Sequence, residues 1–185
     1  MSNGRSNIGA IAGIVLAAGA GRRFGMPKIL AEQGLWLRRA VAALAEGGCD
    51  DVIVVLGAAV VDVPEPARAV LAERWAEGMS ASVRDGLAAA GAAEWVVLHT
   101  VDTPDVGADV VARVLGAARE AGSGLARAGY GGRPGHPVVV ARRHLAALTT
   151  TLQGDQGARG FLRGRDDVVI VECGDLATGL DIDER

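Results

Sequence analysis

The 185-residue chain holds only two cysteines, Cys49 and Cys173. They lie far apart and share no metal-ligand or redox spacing, which argues against a disulfide framework or a cysteine-ligated zinc site. Both are expected to be buried as small apolar residues of a reduced protein. An excess of basic residues is missing too: 19 Lys and Arg against 22 Asp and Glu leave a formal charge of −3. Nucleic-acid and membrane-surface binders need a net basic face, so neither partner class is expected. No apolar run reaches the length of a transmembrane helix. The polar opening "MSNGRSN" does not resemble a secretory signal. These absences point to a soluble, cytoplasmic protein. No Gly-Lys-Ser/Thr closes a P-loop, and no Ser-His-Asp or Cys-His constellation supplies a nucleophile.

What is present is an alternation of apolar runs with segments of helical spacing. Residues 10–18, 51–57, 94–102, 124–130, 136–141 and 167–173 are rich in Val and Ile and apolar on both faces, which suits strands covered on both sides. Helices are expected over 35–48, 67–75, 80–91, 107–122, 142–152 and 156–164. Such alternation implies a three-layer α/β fold: a Rossmann-like, mostly parallel sheet with helices on both faces. No linker or internal repeat divides residues 1–185, so one domain is expected. Ligands of such sheets bind at the carboxyl ends of the strands, near a topological switch point.

The loop at that end of the first strand reads "LAAGAGRRFGMPK" (16–28). A dinucleotide fingerprint needs G-x-G-x-x-G, and Gly19, Gly21 and Gly25 are spaced one residue too widely. Pro27 keeps Met26 out of helical geometry, so the loop stays open. Glycines allow backbone N–H groups to turn toward phosphate oxygens. Arg binds phosphate through a planar fork, and Lys follows it as a point charge. A ligand-free glycine turn is the plainer alternative, but two separate cations favour a reacting triphosphate.

This stretch resembles the LAAGxGxRxGxxK signature of small nucleotidyltransferases, the MobA-like family that includes molybdopterin cytidylyltransferases. "AEGMSASVRDGL" (76–87), "VDTP" (101–104), "RPGHPVVVARRHLAAL" (133–148), "LQGDQGARGFL" (152–162) and "LDIDER" (180–185) resemble further elements of that family, in the same order. The resemblance implies a nucleotide-diphospho-sugar transferase, or GT-A-like, fold. It also implies Mg²⁺ and a nucleoside triphosphate donor. Ala18 tilts the donor toward CTP rather than GTP, because LAAG accompanies cytidylyl transfer in the family.

The implied roles follow residue by residue. Leu16, Ala17, Ala18, Gly19, Gly21 and Gly25 would line the nucleotide, with the glycines cradling its β- and γ-phosphates. Arg23 would hold the triphosphate, and Lys28 would reach the α-phosphate, where charge shifts in the transition state. Arg22 falls at a variable position and reads better as a solvated side chain. Asp102 would bind Mg²⁺, although it or Asp105 could instead cap the following helix. Asp183 is preferred over Asp181 as the second metal carboxylate, with a solvated acidic tail as competitor, since Glu184-Arg185 replaces the family's Thr-Pro. Gly78, Ser80 and Ser82 would contact the nucleoside, while Ser80 also suits an N-cap. His136, Asp155 and Arg159 would border the acceptor. A turn histidine and a plain capped helix are the simpler readings there. His99 is expected to be a packed strand residue near the site.

The implied reaction moves CMP from CTP to the phosphate of a molybdopterin-type acceptor, releasing pyrophosphate. Transient contact with a molybdoenzyme or its maturation factor would follow. Two other possibilities stay open: a guanylyl-, sugar-phosphate or alcohol-phosphate transferase on the same fold, and a nucleotide- or pterin-binding carrier without catalysis. A third, an NAD(P)-dependent oxidoreductase, is weakened by the loop spacing.

Overall fold

The computed structural model describes residues 9–184. The opening "MSNGRSN" and Arg185 of the closing motif therefore lie outside the described residues. Seven strands form one sheet: β1 (Ile11–Leu16), β2 (Asp51–Leu56), β3 (Arg68–Leu71), β4 (Trp95–Thr100), β5 (Leu125–Tyr130), β6 (Arg133–Ala141) and β7 (Val169–Glu172). Their order is β3-β2-β1-β4-β6-β5-β7. Every pairing is parallel except those of β6, which runs against both β4 and β5. The α/β, Rossmann-like, mostly parallel architecture is thus observed.

Helices α1 (Leu35–Glu46) and α3 (Ala108–Glu120) cover one face of the sheet. The other carries α2 (Met79–Ala89), α4 (Leu145–Thr151) and the single turn α5 (Arg159–Leu162). Strand β1 shows how its sequence serves both layers. Ile11 and Val15 enter the core under α1 and α3, whereas Ala12, Ile14 and Leu16 enter the core under α2. Alternate side chains point to opposite faces, so an all-apolar strand buries two cores at once. Each fully buried Val, Leu or Ile contributes about 1.5–3 kcal/mol, so the central strands anchor the fold. Cys49 and Cys173 are buried and unbonded to each other, as expected.

Three expected helices differ in the structure; the one over 156–164 is reduced to the single turn Arg159–Leu162. Residues 67–75 were expected to be helical, but Arg68–Leu71 form edge strand β3, parallel to Ile53–Leu56 of β2. Val70, Leu71 and Trp75 fit a helical stripe as well as a strand, and the pairing with β2 decides between them. Arg68 then clamps Asp51 with Nε and Nη2 at 3.0 and 2.8 Å. The helix expected over 142–152 begins as a 3-10 turn, Arg142–His144, and becomes α-helical only at Leu145.

The reversal at β6 comes from the turn between Tyr130 and Arg133. Gly131 and Gly132 have φ of 58° and 82°. A two-residue hairpin with positive φ at both central positions matches the right-handed twist of its strands, and glycine adopts it without strain.

Candidate active site

β1 lies between β2 and β4, and the chain runs outward through β2 and β3 before returning at β4. The switch point is therefore at the carboxyl ends of β1 and β4, where Leu16 pairs with Thr100. The glycine loop leaves β1 there, and Asp102 follows β4 by two residues.

The loop is held in shape by its own backbone. Gly25 N–H donates to the Gly21 carbonyl at 2.8 Å. Gly21 has φ of 60°, and a Cβ there would strike the Met26 carbonyl oxygen. Side chains are excluded at Gly21 on both counts. Phe24 is buried against Trp36 of α1, ring centroids 5.2 Å apart, and pins the loop's middle to the helical layer. From Pro27 the chain enters a 3-10 segment, Lys28–Gly34, interrupted by Glu32 and Gln33 in left-handed conformation.

Lys28 occupies the centre of the site. Its Nζ donates to Asp102 Oδ2 at 2.8 Å and to Asp183 Oδ1 at 2.7 Å. The lysine and Asp102 side chains are only 15% and 21% exposed, whereas Asp183 is 56% exposed. Burial lowers the Lys28 pKa, but hydrogen bonds and attraction from the two carboxylates outweigh it, so the net shift is upward. The Lys28 hydrogen bond in turn holds Asp183 below the usual carboxylate range. Asp181 moves the other way, raised by burial and by the charges of Asp102 and Asp183. The closing segment is fastened beside them: Ile182 N–H donates to the Asp102 carbonyl at 3.0 Å. Asp105 Oδ2 accepts from the Thr178 backbone N–H at 2.7 Å and from its hydroxyl at 2.6 Å. Neither Asp102 nor Asp105 caps α3, whose N-cap is Gly107.

Three cavities meet at Leu16 and Met79. The first, about 380 Å³, is lined by the glycine loop with Arg22, Arg23 and Lys28, and by Asp102 and Asp183. The second, about 410 Å³, lies between Ala18, Gly19, Trp75, Gly78 and Ser82. The third, about 190 Å³, brings together Arg127, His136, Asp155, Arg159 and Asp181, with Asp102 at its edge.

The structure therefore gathers most of the expected residues. Leu16, Ala17, Gly19, Gly21, Arg23, Lys28, Asp102 and Asp183 share the first cavity, and Ala18, Gly78 and Ser82 share the second. His136, Asp155 and Arg159 share the third. Gly25 lines none of the three and acts on the loop's shape. Ser80 is neither an N-cap nor a cavity residue. It is buried, and its Oγ accepts from Gly157 N–H at 3.1 Å, tying the 154–157 loop to α2. Asp155 does not cap the helix that follows it; its Oδ1 accepts from Met79 N–H at 3.4 Å, at the start of α2. Arg22 is exposed, as expected, yet it borders both the first and second cavities. Arg127 was missed, although an arginine inside the apolar run "GLARAGY" is a visible anomaly.

The carboxylates suit a divalent cation on structural grounds. Asp102 and Asp183 already converge on one positive charge, the lysine ammonium. Asp102 Oδ1 is buried and has no hydrogen-bond partner, an unsatisfied acceptor of the kind a cation or its water relieves. Among the described residues no group of three or more His, Cys, Asp or Glu side chains could hold a metal. The available set is thus two carboxylates, the sparse protein ligation typical of Mg²⁺ beside phosphates.

His99 is buried on β4 with both ring nitrogens unpartnered. Burial, then repulsion from His136, pushes its pKa down to about 3, against attraction from Asp102. His136 is pushed down to about 4 by burial and by Arg127. Both imidazoles are neutral at pH 7.

A loop of glycines and cations at a sheet switch point, beside paired carboxylates, suits a nucleotide-handling α/β enzyme. The family described as the MobA-like NTP transferase domain matches residues 13–169. The chain belongs to this family, and its class is nucleotidyltransferase. A curated relative from Paenarthrobacter nicotinovorans, nicotine blue oxidoreductase, is 35% identical over 196 residues, spanning 97% of this chain and 95% of the relative. Among solved structures, Rv0371c from Mycobacterium tuberculosis H37Rv is similar with a TM-score of 0.76 and 26% identity, covering 96% of this chain and 94% of its own. A structure of Rv0371c in complex with manganese gives a TM-score of 0.69 at 25% identity over 94% of each chain.

Proposed function

We propose that the protein transfers CMP from CTP to the phosphate of a pterin-type acceptor, with Mg²⁺ as cofactor. The observation that carries this reading is the placement of Lys28, Asp102 and Asp183 at the head of a cavity walled by the glycine loop. The second cavity, with Ala18 and Ser82, would take the nucleoside, and the third the acceptor.

Asp102 and Asp183 would hold the cation, which when bound supplies positive charge to the triphosphate; the manganese complex of Rv0371c supports a divalent ion here. The remaining work belongs to the chain. Gly19 and Gly21 let backbone N–H groups approach the β- and γ-phosphates. Arg23 offsets charge on the departing pyrophosphate, and Lys28 shifts from its carboxylate partners toward the α-phosphate. An acceptor phosphate oxygen forms a bond to the α-phosphorus as the bond to the β-phosphate bridging oxygen breaks. The electron pair leaves with pyrophosphate. A phosphate monoester is anionic at neutral pH, so no general base is required, and neutral His99 and His136 are not asked to serve as one.

The identity to nicotine blue oxidoreductase favours a second reading, an oxidoreductase activity at the same site. The two readings separate in one panel. Pyrophosphate release is measured with CTP, GTP, ATP and UTP, each with Mg²⁺ and phosphorylated pterin, sugar and alcohol acceptors, and NADPH oxidation is followed in parallel. Acceptor-dependent pyrophosphate release with CTP ahead of the other nucleotides is expected. NADPH consumption without pyrophosphate would replace the first reading by the second.

A further inference from the structure

Arg127 stands on β5 in the half of the sheet remote from the glycine loop. Its neighbours Ala126 and Ala128 are fully buried, and its own side chain is half-buried at the wall of the third cavity. Nε and Nη2 both donate to the Gly135 carbonyl, at 3.3 and 3.1 Å, which fixes the plane of the guanidinium. Among the described residues Arg127 forms no ion pair, and no hydrogen bond engages Nη1. A sheltered arginine without a carboxylate is unusual, because a desolvated charge is costly unless paired.

The second cation of this cavity is Arg159, at the start of α5, also without an ion pair among the described residues. Burial lowers the pKa of Arg127, and Arg159 lowers it further by repulsion. Two guanidinium groups that repel each other across one cavity form a seat for an anion. The carboxylates there do not fill it. Asp102 is bound to Lys28, Asp155 meets the Met79 N–H, and Asp181 forms no ion pair with either arginine. Leu98, Val138 and Leu162 supply an apolar floor beside the cations.

We propose that Arg127 and Arg159 together bind the phosphate of a phosphate-monoester acceptor, whose flat or apolar body lies on that floor. The existence of the anion seat stands on the geometry alone; its role as acceptor site rests on the transferase reading. Arg127, held by Gly135, gives the anion a preset orientation, and Arg159 closes on it from the surface. Asp102 at the cavity's edge places this anion next to the donor site.

Phenyl phosphate is the probe, titrated calorimetrically into the full chain. Arg127→Gln is expected to weaken its binding by about tenfold or more, the scale of one lost charge-assisted hydrogen bond. Arg127→Lys should fall between, since it keeps the charge and loses the fork. Arg159→Gln, on the exposed side of the cavity, should weaken it without touching the sheet. It therefore decides the matter if Arg127→Gln does not fold. Arg119→Gln, exposed on α3 and outside all three cavities, should leave this binding unchanged. Equal affinity in the wild type, Arg127→Lys and Arg159→Gln would overturn the proposal, as would no binding to the wild type. In the transfer assay Arg127→Gln should raise the acceptor KM and spare the KM for CTP. Arginine-dependent phenyl phosphate binding without nucleotidyl transfer would uphold the seat and refute the transferase reading.

Discussion

The two halves of this site, proposed above for donor and acceptor, are built in opposite ways. The donor half is dominated by one contiguous stretch, Leu16–Lys28, whose shape is set by Gly21 and Gly25. The acceptor half is assembled from isolated side chains on three elements: Arg127 on β5, His136 on β6 and Arg159 on α5. A backbone cradle suits a triphosphate, the part that every nucleoside triphosphate donor has in common. Separate side chains on different strands can be exchanged one at a time, so the variable partner is met by the half that can vary. Asp102 lines both cavities and so sits at the seam, with Lys28 bonded to it from the donor side.

Damage at the seam should be greatest. Asp102→Ala is expected to reduce transfer by on the order of 10³-fold or more, since the proposed metal carboxylate and the partner of Lys28 are lost together. Circular dichroism should show an intact fold, and an active variant would remove Asp102 from the metal site. Lys28→Ala should lower kcat by about 10²-fold, with a smaller change in KM for CTP, because its charge is needed most in the transition state. Steady-state kinetics with each substrate varied in turn checks this, and a pure KM effect would reduce Lys28 to a binding residue.

Gly21→Ala sharpens the contrast between the halves. The added Cβ meets the Met26 carbonyl oxygen at a positive φ, a strain of about 1–3 kcal/mol. Nucleotide affinity measured by calorimetry should fall by about tenfold, while phenyl phosphate binding in the other half stays unchanged. Loss of both would mean that the halves are not separable.

The smallest effect concerns stability rather than turnover. His99 and His136 have folded-state pKa values of about 3 and about 4, below the ordinary 6.5. Between those values the unfolded chain binds more protons than the folded one. Stability is therefore full above about pH 6.5 and declines as the pH falls toward 4. Thermal melts from pH 7.5 to 4.5 should show a falling Tm, with a shallower slope in His136→Gln. An equal slope in that variant would show that His136 is not the group responsible.

The same contrast explains what the sequence disclosed. The donor loop is local, so its glycine spacing and cations are readable in a row, and the switch-point rule places it correctly. Asp102 and Lys28 are 74 residues apart, yet each was identifiable from its own motif; that they bond to each other was not. Ser80 looked like a cap because Ser commonly caps helices, but the neighbouring loop claims its hydroxyl through Gly157. Strand β3 escaped because four residues with mixed periodicity fit either element until a partner strand is known. The antiparallel run of β6 was signalled by Gly131-Gly132, a pair whose turn type matters only once two strands are known to flank it. Arg127 gains its meaning from Gly135 and Arg159, which no local pattern connects.

The most direct test follows the nucleotide itself. The protein is incubated with CTP labelled at the α-phosphate, Mg²⁺ and a phosphorylated pterin, and the products are separated. The expected result is label on the acceptor with an equal amount of pyrophosphate released, both absent in Asp102→Ala. Label confined to CTP across the acceptor panel, with NADPH oxidised in a parallel incubation, would contradict nucleotidyl transfer as the work of this site.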